Sequence, residues 1–240
     1  MKQEKVTVTK AAVTVGEWVV LAAEPEPLEI DLKRTGVVIV DMQNGFVAKG
    51  AYAEIAGGNL ERHRAAIAPI KRISGAARSK GLKVIYIKTV HHPGDAGTGP
   101  DSVFWHKEHT LVGFREHPEF KDKFLLPGTW GNEVVAELEP QAGDVIVEKP
   151  RYSGFFDTNL DTVLKRHNIK YLLTMGVATN CCVEATIRDA YYRGYFAILV
   201  SDAAASSFRG PAFMQEAAIY NIKNNLGWVT TTEDVLKAMA

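Results

Sequence analysis

Five short, nearly unbroken apolar runs, spaced by longer amphipathic stretches, constrain this chain more than any other feature. They occupy residues 36–40 (GVVIV), 84–87 (VIYI), 144–147 (DVIV), 171–175 (YLLTM) and 195–200 (YFAILV). A strand with one wet face would alternate apolar with polar. These do not, which suits parallel strands covered on both faces. The stretches between them carry helical spacing: Ala66, Ile67, Ile70 and Ile73 within 60–80, Leu160, Val163 and Leu164 within 158–167, and Val183, Ile187, Ala190 and Tyr191 within 183–193. Residues 211–224 and 232–240 read as closing helices. The expected fold is α/β: a doubly wound parallel sheet with helices on both faces, over residues 35–240. Residues 1–34 stand outside that rhythm as an N-terminal extension.

Charge removes several classes of function. The chain has 28 basic and 28 acidic residues, so no basic footprint exists for nucleic acid or an anionic membrane surface. No apolar run approaches the roughly 18 residues of a membrane span. Both cysteines, Cys181 and Cys182, are adjacent, which makes a bridge between them strained and points to a reduced, cytoplasmic compartment.

Two segments break the strand–helix alternation. Residues 6–9 and 18–21, followed by Glu24-Pro25-Glu26-Pro27, suggest one or two edge strands that pack on a neighbouring subunit. Residues 91–131, rich in His, Gly, Pro and Trp, read as a long irregular cover or binding loop.

In an open parallel sheet, ligands bind beyond the carboxyl ends of the strands. Asp41 follows the first core run, Lys149 the third, and the turn from Gly176 to Val183, containing Cys182, follows the fourth. A carboxylate, an ammonium and a thiol thus meet at one rim. A thiolate is the stronger nucleophile, favoured by a cation and by a helix N-terminus. Asp41 is suited to taking the thiol proton and returning it to a leaving amine. Because both charged residues sit at strand ends, the fold is expected to tolerate their loss.

Three motifs carry a family resemblance: Val38-Ile39-Val40-Asp41-Met42-Gln43-Asn44, Lys149 followed by Ser153-Gly154-Phe155, and Gly176-Val177-Ala178-Thr179-Asn180 ahead of Cys182-Val183. From residue 35 onward the chain resembles the isochorismatase-like cysteine hydrolases. The resemblance implies Cys182 as nucleophile, Asp41 as base and Lys149 as activating cation. It also implies a non-proline cis peptide between Val177 and Ala178, and an oxyanion hole from the N–H groups of Ala178 and Cys182. Residues 149–156, the Phe104–Lys107 stretch, residues 131–138 and residues 221–228 resemble the subgroup that cleaves linear ureides of the ureidoacrylate kind. Relatives cleaving biuret, triuret or carbamoylated amines are the alternative. Cys181 stands where the family carries a branched aliphatic residue.

Phe46, Trp105, Lys107, Arg151 and Tyr152 are the candidate substrate contacts, the two cations being suited to a carboxylate. No cofactor is implied, since no Gly-rich phosphate loop follows a strand. His91, His92, His106 and His109, with Asp95 and Asp101, lack metal-ligand spacing. The metal-binding Asp-x-His-x-x-His pattern of nicotinamidases, which share the fold, is replaced here by Lys88-Thr89-Val90-His91-His92-Pro93. Cys182 argues against a vinyl-ether-cleaving isochorismatase, and the full Asp-Lys-Cys set against a silent scaffold. The expected partners are a small amide or ureide and further copies of the chain, as a dimer or tetramer.

Overall fold

The computed structural model describes residues 16–92, 94 and 99–240. The main sheet contains Thr35–Val40 (β3), Lys83–Thr89 (β4), Val145–Lys149 (β5), Tyr171–Val177 (β6), Phe196–Ala205 (β7) and Trp228–Thr230 (β8). Ahead of it lie Trp18–Leu21 (β1) and Leu28–Asp31 (β2), paired antiparallel. The sheet order is β5-β4-β3-β6-β7-β8, every pair parallel. The chain therefore runs outward from β3 through β4 to β5, then returns to β6 on the other side of β3. That reversal between β3 and β6 is the topological switch point, where such sheets open a crevice.

Period-two alternation divides the apolar runs between two cores. Val37 and Ile39, with Val84, Tyr86, Leu173 and Met175, face the helices Ile67–Ser79 and Thr232–Ala238. Val38 and Val40, with Ile85, Ile87 and Leu172, face Leu160–Arg166 and Glu184–Tyr192. Both faces of the central strands are dry, which is why their runs do not alternate with polar residues, while the edge strand β5 keeps one wet face.

The sequence expectations need three corrections. β8, only three residues long, carries too short a run to register as a strand. The expected helix over 60–80 is two helices, Glu61–Ala65 and Ile67–Ser79. Residues 18–31 also dock on their own chain: Leu21 and Ile30 are buried in the first core, and Glu24 exchanges backbone hydrogen bonds of 2.8 and 3.0 Å with Val229. The expected strand at 6–9 lies outside the described residues. Finally, the segment 91–131 is not structureless. It holds helices Val103–Lys107 and His109–Glu116, whose first turns are capped by the side chains of Ser102 and Glu108.

Candidate active site

Four adjacent strands deliver the site in their sheet order. Lys149 ends β5 and pairs in register with Thr89, which ends β4; Asp41 follows β3; the Cys182 turn follows β6. Asp41 takes a left-handed backbone, φ 52°, and its N–H donates to Ile87 O at 2.8 Å, so the chain turns sharply off the sheet. Beside it, Gly176 has φ 113°, and a Cβ there would stand 2.1 Å from Val40 O. Only glycine lets β6 run this close to β3 and leave toward the crevice.

The Asp41 carboxylate is held from two sides. Its Oδ1 accepts from Thr89 N and from Thr89 Oγ1, both at 2.9 Å, while Oδ2 faces the Lys149 ammonium at 2.8 Å. Lys149 Nζ also donates to Thr89 Oγ1 at 2.6 Å, to Arg151 O at 3.1 Å and toward Cys182 Sγ at 3.4 Å. Asp41 and Lys149 are each 1% exposed, so this is an ion pair sealed from solvent. Burial opposes the charge on Lys149, but Asp41 and Cys182 more than offset it and hold the ammonium well above its ordinary range.

Cys182 lies in the one-turn segment Thr179–Val183 that runs into Glu184–Tyr192. Val177–Ala178 is a cis peptide, and Ala178 O accepts from the N–H groups of Cys181 and Val183 at 3.0 and 3.1 Å. Thr186 Oγ1 donates to Cys182 O at 2.7 Å and accepts from Gly154 N at 2.9 Å, tying the nucleophile turn to the loop after β5. That contact accounts for the Ser153-Gly154-Phe155 motif: a Cβ at Gly154 would come within 2.6 Å of Ile87 Cδ1. The thiol is pushed up by contact with Cys181, by burial and by the Asp41 charge, against the pull of Lys149. A nearby cation was expected to yield a thiolate. Contact with Cys181, burial and the Asp41 charge together outweigh that pull, so the surroundings favour the thiol over the thiolate.

The narrow cavity above Cys182 is lined by Asp41, Phe46, Tyr52, His63, Glu108, His109, Thr110, Tyr152, Val177, Ala178, Cys181, Ser207 and Phe208. The Isochorismatase domain model matches residues 35–234. The chain belongs to the isochorismatase family. It is 43% identical over 216 residues to the ureidoacrylate amidohydrolase RutB of Agrobacterium fabrum, covering 89% of this chain and 93% of that one. It is 41% identical over 222 residues to the enzyme of the same name from Serratia proteamaculans, covering 92% and 88%. Among solved structures it resembles a cysteine hydrolase from Pseudomonas syringae pv. phaseolicola, with TM-score 0.71, 30% identity and coverage of 88% and 94%. It also resembles the N-carbamoylsarcosine amidase of Thermoplasma acidophilum, with TM-score 0.61, 27% identity and coverage of 83% and 97%.

Within this isochorismatase-family site, the structure brings Asp41, Lys149, Cys182, Ala178, Phe46 and Tyr152 together. It keeps Trp105, Lys107 and Arg151 off the described cavity wall. Trp105 lies under the Arg115 guanidinium, 4.8 Å from the ring centre, and Lys107 is exposed at the end of its helix. The Arg151 guanidinium covers the Phe104 ring at 3.8 Å; its backbone carbonyl, not its side chain, serves the site by accepting from Lys149. The histidines do not converge: His91 faces Thr110 and Glu108, and His92 faces Glu148 at 3.5 Å. Among the described residues no three potential ligands cluster for a metal, and Asp95 lies outside them.

Thr89 escaped the sequence reading. It is a single strand-end threonine whose importance comes only from lying beside both Asp41 and Lys149. Gln43 and Asn132 brace it: Gln43 Oε1 accepts from Thr89 N at 2.9 Å, and the amides of Gln43 and Asn132 donate to Thr89 O at 3.0 and 3.1 Å. Thr89→Val keeps the backbone donor to Asp41 but removes the hydroxyl from between the charges. Turnover is expected to fall about tenfold to a hundredfold with KM little changed, as steady-state kinetics can check.

Proposed function

We propose that this protein is a cysteine amidohydrolase that cleaves the carbamoyl C–N bond of a linear ureide, the class to which ureidoacrylate belongs. The observation that carries the reading is the continuous contact from Asp41 through Lys149 to Cys182 Sγ at the sheet's switch point. The named activity of the relatives supports the substrate class.

In this reading Asp41 accepts the Cys182 proton as Sγ bonds to the ureide carbonyl. Because the site opposes ionisation of the thiol, a base is needed at the moment of attack. Lys149 pairs with the Asp41 carboxylate until then and balances the charge that moves onto sulfur. The N–H groups of Ala178 and Cys182 receive the developing oxyanion. Asp41 then protonates the departing nitrogen, the C–N bond breaks, and an S-carbamoyl enzyme remains. Water, losing a proton to Asp41, hydrolyses it to carbamate, which decomposes to ammonia and carbon dioxide, and the thiol is regenerated. Phe46 and Tyr152 offer flat walls for a planar ureide.

Ammonia release tests this across ureidoacrylate, biuret, triuret, N-carbamoyl amino acids and nicotinamide under one condition. A ureide or carbamoyl compound is expected to lead, by about a thousandfold in kcat/KM over nicotinamide, equivalent to about 4 kcal/mol. Efficient nicotinamide hydrolysis with inert ureides would refute the substrate class.

A further inference from the structure

Glu108 lines the cavity yet has no part in the attack on the carbonyl. It enters from the helical cover rather than from the sheet, as the residue that caps His109–Glu116. Its Oε2 accepts from Leu111 N at 2.9 Å and from the Thr110 hydroxyl, and lies 3.3 Å from His91 Nε2. Thr110 gives its one proton to Glu108, so His91 Nε2, 2.7 Å from Thr110 Oγ1, is the donor to that hydroxyl. All of these contacts converge on one oxygen. No described residue donates to Oε1. Capping needs only a short polar side chain and normally a solvated one, and burying an anion for that purpose alone is costly. Here burial pushes the carboxyl up, but His91, Thr110 and Leu111 bring it down to about 2. Its field reaches across the cavity: burial raises Tyr52 to about 12, and Glu108 adds to the rise against the pull of Arg209.

We infer that Glu108 determines specificity, accepting N–H donors from the non-reacting end of the substrate, so that the favoured ureide ends in an amide, urea or amine rather than a carboxylate. This rests on the reading of the chain as a ureide-cleaving cysteine hydrolase. No lysine or arginine side chain is among the described residues lining the cavity. The Lys149 ammonium is engaged by Asp41, Thr89 and Cys182, and Lys107 and Arg151 stand elsewhere. Of the cavity's two imidazoles, His63 directs both ring nitrogens at the carbonyls of Phe46 and Ser206, 2.9 and 3.1 Å away. A carboxylate arriving there meets the like charge of Glu108 with no lysine or arginine among the described lining residues, whereas an amide N–H meets a hydrogen-bond acceptor.

The test is a matched pair, ureidoacrylate and its carboxamide, which differ only at the far end. Wild-type protein is expected to favour the carboxamide by at least about tenfold in kcat/KM. Glu108→Gln and Glu108→Ser, the second keeping a capping hydroxyl, should each move that ratio about tenfold toward the carboxylate, mainly through KM. A ratio of two substrates on one preparation does not depend on how much of it is folded. An unchanged ratio in both variants, or a wild-type protein that turns over the carboxylate as well as the amide, overturns the inference alone. Wild-type protein inert toward every ureide overturns the ureide reading and this inference with it.

Discussion

Cys182→Ala is expected to lower turnover by at least about ten-thousandfold, while Cys181→Val keeps most of the activity. Both thiols line the cavity, so proximity does not separate them. Contact with the charged pair does: Cys182 Sγ is 3.4 Å from Lys149 Nζ. The two variants also differ in what they leave behind. In Cys182→Ala the Asp41–Lys149 pair stays intact and buried, so the fold should persist and substrate should still bind without reacting. Cys181→Val removes the contact that most raises the Cys182 thiol. Alkylation of Cys182 by iodoacetamide should then set in at lower pH than in the wild-type protein. Mass spectrometry of the alkylated peptide against pH reads this directly. Equal losses of turnover in the two variants would show that the wrong thiol has been assigned.

The central strands were legible because both of their faces are dry: in a doubly covered strand, burial leaves an apolar run that local reading detects. The reactive residues were legible because each is a chemically distinctive side chain immediately after such a run. Thr89 and Glu108 were not, and the reasons differ. Thr89 matters through the register that sets it against Lys149 and beside Asp41, and register is a relation between strands remote in sequence. Glu108 looked like one more charge in a polar segment; only the packing of His91 and Thr110 around it makes it a buried anion. A closer local reading could have found the helices there, since Ser102 and Glu108 each precede a helical turn in capping position. Arg151 is off the cavity because the strand ends at Lys149 and the chain bends there, so the alternation of a strand no longer aims its side chain, and its guanidinium lies over Phe104 instead.

The expectation that the fold would tolerate loss of Asp41 or Lys149 does not survive their burial. Each is 1% exposed, and removing one partner of a sealed pair strands the other charge in a medium that solvates it poorly. Lys149→Met should therefore cost about 3–5 kcal/mol of stability as well as at least about a hundredfold in turnover. Asp41→Asn strands Lys149 instead; asparagine is the replacement to use, because it accepts the left-handed φ of 52° that most side chains resist. The double variant Asp41→Asn with Lys149→Met separates the two effects. With both charges gone, no unpaired ion remains, and much of the lost stability should return, since a buried pair replaced by neutral groups of similar shape is often close to neutral in cost. Turnover should not return, because neither the base nor the cation exists any longer. Urea denaturation of the three variants, alongside ammonia release from the best ureide, measures both quantities on the same preparations. Recovery of turnover in the double variant would mean that the pair serves the fold alone, and the assignment of Asp41 as base would fall.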